Sequence, residues 1–431
     1  MPANEQEAAV PMSMTLAEKI LARSARRDRV RAGDIVTCHV DLAMMHDSSG
    51  PRRIQPKLEE LGVDVWDAQK IVIITDHFVG EDDSHSVQIQ DLTRDWAGQR
   101  PLGGFHEAQG ICHVVLPERG HLRPGMFVVG GDSHSTTGGA FGCVMTGIGA
   151  TDMAAVLATG SIWMRVPETL RVRVDGVLPD GIAAKDVILS LCHSIGINGA
   201  SYMATEYTGS GVAAMPMDER MVLTNMAVEL GAKCGIVAAD NTTRDWLARA
   251  GVEVDDMDDW QTDSDAGIAR EITIVAADLA PQVAAPHSPE NSATVDRHAG
   301  TAIDQAYIGA CTGAKLDDLR MVARIVDGQR VAESVRFFVA PASLRIADQA
   351  ERDGTLESLR AAGATILKSN CGACIGLGPA RLGAGEVGIS SSSRNFQGRM
   401  GDPASKTYLA SPYTVAASAL AGCIADPRGY L

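Results

Sequence analysis

Short runs of β-favouring apolar residues alternate along the chain with longer stretches whose apolar positions have helical spacing. Runs at 70–75, 126–129 and 305–308 predict buried strands. The stretches 14–27 and 316–326 predict amphipathic helices. This alternation of strand and helix predicts an α/β fold built on parallel sheets. The same patterns predict strands at 35–38, 170–174 and 335–339 and helices at 147–164, 180–195, 217–230 and 344–350.

Two changes in composition divide the chain into three α/β regions. The first follows Pro167, just before a predicted strand. The second is the stretch 281–301, whose proline, serine and asparagine content predicts a linker or crossing segment. We therefore expect a leader at 1–13 and three α/β domains at 14–170, 171–290 and 291–431.

The composition argues against several classes of protein. The chain has 431 residues, of which 45% are apolar and 21% charged, as is usual for a soluble globular protein. A net charge of −16 disfavours binding to nucleic acid or to an anionic membrane. The first ten residues are polar and acidic, unlike a signal peptide, and the stretch 407–425 predicts a strand or turn before a buried helix of small residues. We therefore expect a cytoplasmic protein that is not bound to a membrane.

Three of the nine cysteines lie in glycine-containing loop sequences. Cys371 and Cys374 form a C-x-x-C pair, and Cys311 lies in a turn after the predicted strand 305–308. An odd number of cysteines in a long chain favours metal or redox chemistry over structural disulfides. Glycines allow the backbone to approach an inorganic cluster closely. The residues alone leave an iron–sulfur cluster, a zinc site, and redox or structural thiols open.

Histidines are concentrated in the first third of the chain, and several adjoin carboxylates. A carboxylate that accepts a hydrogen bond from an imidazole fixes its tautomer and lets it act as an acid near neutral pH. One such histidine alone is more often structural, but several pairs, two of them following predicted strands, favour a catalytic site. The pairs are His46-Asp47, Asp76-His77 and Asp132-Ser133-His134.

Two arginines, Arg394 and Arg399, flank a glycine-containing turn near the end of the chain. In an acidic protein, two arginines in a polar loop suit the bidentate capture of a carboxylate. A solvated surface loop with ion pairs is the alternative interpretation.

Four segments together resemble the large subunit of the aconitase family, in its isopropylmalate dehydratase and homoaconitase branch. The resemblance covers residues 14–428 and implies three α/β/α domains around one [4Fe–4S] cluster per chain. It implies that Cys311, Cys371 and Cys374 hold the cluster and that one iron stays open. The segments are DSHSTTGGAFG from residue 132, IGACT from 308, CGACIG from 371 and SRNFQGRMG from 393.

The resemblance also implies an activity, the isomerisation of a small hydroxy-di- or tricarboxylic acid by dehydration and rehydration. Within that activity we expect an enzyme similar to 3-isopropylmalate dehydratase. The residues matched to catalysis are Asp76, His77, His113, Asp132, His134 and Glu229. The residues matched to substrate binding are His46, Asp47, Ser133, Asn225, Arg394 and Arg399.

Two residues depart from the family pattern. Gly313 stands where asparagine is common, so we expect one hydrogen bond near the cluster to be lost. Phe78 stands where a polar residue is frequent, and we expect it to narrow the pocket.

The mobile swivel domain of one-chain aconitases, which carries the serine base and further arginines, has no counterpart after Arg399. The resemblance therefore implies a separate small subunit of ~160–200 residues, the size of a single domain. Homoaconitate, methylcitrate and 2,3-dimethylmalate-type dehydrations are alternative activities. A non-catalytic thiol- or zinc-binding regulatory protein with the same fold is an alternative of another class.

Overall fold

Three larger β-sheets with helices between their strands and one two-stranded antiparallel ribbon make up the computed structural model, which describes residues 13–255 and 257–431. Apart from Ser13, the predicted leader at 1–13 lies outside the described residues. Most strands in all three sheets run parallel, so the predicted α/β class is confirmed.

The first region contains a parallel sheet and an antiparallel ribbon. Its elements are α1 (Leu16–Ser24), β1 (Ile35–His39), β2 (Leu42–His46), α2 (Pro51–Leu61), β3 (Ile71–Thr75), α3 (Ser84–Gly98), β4 (Gly104–Glu107), α4 (Cys112–Glu118), β5 (Phe127–Gly130), β6 (Val144–Gly147), α5 (Ala150–Thr159) and β7 (Ser161–Arg165). The sheet has the order β4-β3-β2-β5-β6, and β1 pairs with β7. Every residue of β2 and β3 is buried, as expected for central strands covered on both faces.

The second region contains a four-stranded parallel sheet. Its elements are β8 (Thr169–Asp175), α6 (Ala184–Ile195), β9 (Ala204–Thr208), α7 (Ser210–Ala214), α8 (Met217–Asn225), β10 (Cys234–Ile236), α9 (Asn241–Arg249) and β11 (Arg270–Val275). The strand order is β10-β9-β8-β11. Helix α6 packs against α8 and is almost entirely buried, so it lies inside the molecule and not on its surface.

The third region contains a seven-stranded mixed sheet. Its elements are β12 (Gln282–Ala284), β13 (Ser292–Thr294), β14 (Gln305–Ile308), α10 (Leu316–Val326), β15 (Arg336–Val339), α11 (Leu344–Arg352), α12 (Thr355–Ala362), β16 (Thr365–Ile366), β17 (Val387–Ser390), β18 (Lys406–Ala410) and α13 (Pro412–Ala421). The order is β13-β12-β18-β17-β14-β15-β16, with β12 antiparallel to both of its neighbours. Helix α6 of the second region also packs against β12, which joins the two regions.

Strand ends carry the residues that matter most for chemistry. Asp76 follows β3, Asp132 follows β5, Cys311 follows β14 and Ser391 follows β17. Because the carboxyl ends of parallel strands face one edge of a sheet, each region presents these residues at one side.

The structure differs from the sequence predictions at two places. The helix predicted at 147–164 ends at Gly160, which has a left-handed φ of 71°, and the residues after it form β7. The segment predicted as a linker at 281–301 contains β12 and β13, so the third sheet begins at Gln282, before residue 291. The apolar residues of β7 continue the run of apolar residues in α5, whereas β12 and β13 have three residues each and give a weak strand pattern.

Among the residues that the structure describes, no helix is long and apolar enough to span a membrane. The apolar stretch at 407–425 forms most of β18 and the buried helix α13, as the sequence predicts.

Gly139, in the 3-10 turn Ser133–Phe141, provides a test of how tightly the first two regions pack. A Cβ atom there would lie 1.7 Å from the carbonyl oxygen of Gly235 in β10. We expect Gly139→Ala to lower the midpoint of urea unfolding, at a cost of about 1–3 kcal/mol from overpacking. Gly98→Ala is the control, because a Cβ atom at that position meets nothing within 4 Å. Equal midpoints for the two variants would contradict the close packing.

Candidate active site

A small cavity of about 20 Å³ lies where residues that follow β3, β5 and β14 meet. Its wall combines side chains from the first and third regions. The predicted site residues that line it are Asp76, His77, His113, Asp132, His134, Cys311, Cys371, Cys374 and Arg399. The other predicted residues, described below, lie in contact with this wall.

Behind one side of the cavity, two histidines and two aspartates form a compact group with Phe78 beside it. The rings of His46 and His77 stack with their centroids 4.0 Å apart. Asp47 accepts hydrogen bonds from the backbone N–H groups of His77 and Phe78 at 3.1 and 2.8 Å. Asp76 lies 2.6 Å from Nδ1 of His77. Asp47 is fully buried, so His46 and Asp47 support His77 from behind and do not line the cavity.

The pKa values in this group favour a positively charged imidazole beside negatively charged carboxylates. Burial opposes a charge on His77, but the Asp76 carboxylate and the charges of Asp47 and Asp132 raise the pKa of His77 to about 9. Burial would raise the pKa of Asp47, but the imidazoles of His46 and His77 lower it to about 2. His77 is therefore protonated at neutral pH.

A second group connects the first region to the 3-10 turn after α8. Oδ1 of Asp132 lies 2.8 Å from Nε2 of His113 and accepts the backbone N–H of His134 at 2.7 Å. Nε2 of His134 lies 2.9 Å from Oε1 of Glu229. Burial opposes a charge on His134, but Asp132 and Glu229 together raise its pKa. This group therefore favours a protonated imidazole beside the cavity.

Arg394 connects the third region to the same group. Its Nε donates to Oε1 of Glu229 at 2.7 Å, and its Nη1 donates to Oγ of Ser133 at 2.9 Å. Burial would raise the pKa of Glu229, but His134 and Arg394 lower it, so the carboxylate stays charged. Arg399 lines the cavity itself, and its Nε is buried without a partner.

The three cysteines approach the cavity from two loops. Cys311 lies after β14 and follows Ala310, whose φ of 65° turns the backbone sharply. Cys374 lies in the 3-10 turn Gly372–Ile375, and the N–H of Cys371 donates to the Asp76 carbonyl oxygen at 3.0 Å. Asn225 lies next to one of the three cysteines: its Nδ2 donates to Sγ of Cys311 at 3.1 Å.

The surroundings shift the pKa values of Cys311 and Cys374 in opposite directions. Burial raises the pKa of Cys311 to about 12. The hydrogen bond from the Cys371 thiol, together with the charge of Arg399, lowers the pKa of Cys374. Cys374 is thus the first of the three to become a thiolate, the form that binds metal.

The donor set fits a group larger than one ion. Within residues 13–255 and 257–431, two groups bring three or more ligand atoms within 4.8 Å of one another; both consist of His and Asp, and the three cysteines form no third group. Buried polar atoms around the cavity have no partner, namely Nδ1 of His113, Oγ of Ser393, Nε of Arg399 and Oδ1 of Asn225. Three thiols that do not converge on one point, with unpartnered polar atoms beside them, suit an iron–sulfur cluster better than a four-coordinate structural zinc site.

The two departures from the family pattern have structural explanations. A Cβ atom on Gly313 would lie 2.1 Å from Oγ of Ser391, so the hydroxyl of Ser391 occupies the space of a larger side chain. That hydroxyl also accepts the N–H of Gly309 at 3.1 Å. Phe78 does not line the cavity; its ring faces Arg52 and His85. The expected narrowing of the pocket by Phe78 is therefore not observed.

Sequence reasoning missed two contributors to this site. Ser393 lines the cavity beside Arg394, and Lys185 contacts the loop that holds Cys311. Burial lowers the pKa of Lys185 to about 8. The helical pattern of α6 gives no signal for Lys185, because its partners lie in the third region.

The chain is similar in sequence to proteins of one family. The sequence matches the aconitase family (aconitate hydratase) over residues 18–422. It is 47% identical over 423 residues to the 3-isopropylmalate dehydratase large subunit 1 of Methanopyrus kandleri, which covers 97% of this chain and 100% of that protein. It is 43% identical over 423 residues to the probable methanogen homoaconitase large subunit of Methanothermobacter thermautotrophicus, with coverages of 97% and 98%.

The fold is similar to the crystal structure of the holo-form of aconitase X from Thermococcus kodakaraensis. The TM-score is 0.50 at 12% identity, over 83% of this chain and 84% of that one. The matches confirm the predicted family, the aconitase-like α/β architecture and the hydro-lyase class, and the family implies a [4Fe–4S] cluster. From its sequence match over nearly its whole length, the chain belongs to the aconitase family.

Proposed function

We propose that the chain is the large subunit of an iron–sulfur hydro-lyase that isomerises a hydroxy-dicarboxylic acid, with 3-isopropylmalate as the preferred substrate. The observation that carries this proposal is the single cavity that unites three thiols, protonated histidines and an arginine. The relatives named 3-isopropylmalate dehydratase large subunit support the substrate class.

Cys311, Cys371 and Cys374 are the proposed ligands of one [4Fe–4S] cluster, with one iron left open to substrate. When bound, the cluster supplies a Lewis acid that polarises the substrate's hydroxyl and carboxylate groups. Asn225 supports the Cys311 ligand through its hydrogen bond to the sulfur. The backbone bond from Cys371 to Asp76 fixes the cysteine turn beside the acid residues.

The histidines of the cavity supply protons. Hydroxide is a poor leaving group, so an acid must protonate it as the carbon–oxygen bond breaks. His77, with a pKa of about 9, is charged at neutral pH, and the carboxylates of Asp132 and Glu229 favour the charged form of His134 by raising its pKa. His113, held by Asp132, orients the water or hydroxyl between them. Rehydration uses the same groups in reverse.

Arg399 and Arg394 bind the substrate carboxylates in this proposal. Arg399 lines the cavity and has a buried Nε without a partner, from which a substrate carboxylate oxygen would accept a hydrogen bond. Arg394 is held by Glu229 and Ser133, so its guanidinium is fixed in position before substrate arrives.

The partner in this proposal is a separate small subunit of ~160–200 residues, the size of one domain. It would close the cavity and supply the base that removes the proton next to the substrate carboxylate. The relatives' names, which end in "large subunit", support such a partner. The nine cysteines are all free, which suits a reducing compartment, and we place the protein in the cytoplasm.

Co-expression with the small subunit under anaerobic conditions tests the substrate. Alkene formation, followed by ultraviolet absorbance, should be fastest with 3-isopropylmalate. Faster reaction with homocitrate would favour a homoaconitase, the alternative that the relative at 43% identity supports. No reaction with any hydroxy acid, despite an intact cluster, would contradict the proposal.

The variant Cys374→Ser tests the ligand assignment. We expect the protein to fold but to retain less than half of the iron and sulfide of the wild type and to lose dehydratase activity, since one cluster ligand is removed. Cys423→Ser is the control, because Cys423 is a half-buried cysteine away from the cavity. Full cluster content and activity in Cys374→Ser would refute the assignment.

The variant Glu229→Gln tests the proton source. Loss of the carboxylate lowers the pKa of His134. As the pH rises, His134 of the variant therefore loses its proton at a lower pH than His134 of the wild type. The alkaline limb of the kcat/KM profile should move to lower pH, with a loss of about 10–100-fold at pH 8. Glu206→Gln is the matched control, since Glu206 and Glu229 are both 4% exposed. Superimposable pH profiles for Glu229→Gln and the wild type would contradict the role of His134.

A further inference from the structure

Lys185, near the start of α6 in the second region, extends into two loops of the third region. The residue is 1% exposed. Its Nζ lies 3.1 Å from Oγ1 of Thr312, 3.0 Å from the carbonyl oxygen of Ser391 and 2.6 Å from that of Ser392. One side chain thus connects the loop that carries Cys311 with the loop after β17.

The hydrogen bonds of Lys185 require its charged form. The hydroxyl of Thr312 donates its own hydrogen to the carbonyl oxygen of Ser391 at 2.9 Å, so its oxygen accepts from Lys185. The other two partners are carbonyl oxygens, which only accept. Three acceptors need three N–H donors, which an ammonium group has and a neutral amine lacks.

No carboxylate neutralises this ammonium group within the parts of the chain that the structure describes. Lys315, which is equally buried and lies on the same loop, is neutralised by Asp318 at 2.6 Å. Thr312, which accepts from Lys185, directly follows Cys311, so the ammonium group lies against the loop of a proposed cluster ligand. A buried cation without a partner is costly, and a negatively charged cluster on that loop would supply the missing charge.

We propose that Lys185 is the buried counter-charge of the iron–sulfur cluster and that it couples cluster binding to the packing of the second region against the third. This inference rests on the proposed function. Three thiolates outweigh the charge of a [4Fe–4S]²⁺ core, so the loaded site is negative and one-electron reduction makes it more so. Lys185 acts through the Cys311 loop and is a positioning residue.

A thermodynamic cycle that combines the Lys185 variants with the presence or absence of the cluster tests the coupling. The urea unfolding midpoints of wild type, Lys185→Met and Lys185→Gln are measured for the full chain with and without cluster, under argon. Gln keeps two N–H donors without charge and provides a folded variant if Met does not. We expect both variants to lose more stability with the cluster than without it, and to release the cluster to an iron chelator about tenfold faster, since charge-assisted contacts of this kind are worth at least that factor.

The matched control is the double variant Arg220→Met with Asp240→Asn. It removes an ion pair of the second region that does not line the cavity, and it leaves the net charge unchanged. It should alter stability equally with and without the cluster, as a purely structural role would.

The reduction potential of the cluster gives a second measurement that does not depend on activity. Removal of a nearby positive charge disfavours the reduced, more negative form, so the midpoint potential of both Lys185 variants should shift to more negative values. The control should keep the potential of the wild type. Unchanged potentials and equal stability losses with and without cluster would overturn this inference alone. A wild-type chain that binds no cluster would instead overturn the proposed function.

Discussion

One carboxylate oxygen, Oε1 of Glu229, joins all three regions of the chain. It lies 2.9 Å from Nε2 of His134 in the first region and accepts Nε of Arg394 from the third at 2.7 Å. Glu229 is only 4% exposed, so its charge depends on both partners. Removal of one partner from such a buried pair costs about 3–5 kcal/mol, which makes the contact a constraint on the whole arrangement.

The chemistry of the cavity follows from that constraint. The Glu229 carboxylate that joins the regions also raises the pKa of His134, while Asp76 and Asp47, within the first region, keep His77 protonated. The cysteine turn is joined to this arrangement by the bond from Cys371 to the carbonyl oxygen of Asp76. Acid groups, substrate-binding arginines and thiols therefore meet at the cavity because the regions pack together.

The strands that carry the site could be predicted from the sequence, because a run of apolar residues followed by polar residues indicates a buried strand and its end. It predicted β3, β5 and β14 and the side chains after them. It did not predict Lys185 or Ser391, since their partners lie more than 75 residues away in the chain and depend on how the regions pack. It also misassigned β7, whose apolar residues continue the run in α5, and the β12–β13 hairpin, whose strands have three residues each; both are defined by their pairing.

The most direct measurement is the dehydratase activity of the complex of this chain with its small subunit, before and after removal of iron by a chelator. The account predicts that alkene formation disappears with the iron and returns after anaerobic reconstitution with iron and sulfide. Activity that persists after all iron has been removed, or that zinc restores, would contradict a cluster-dependent site.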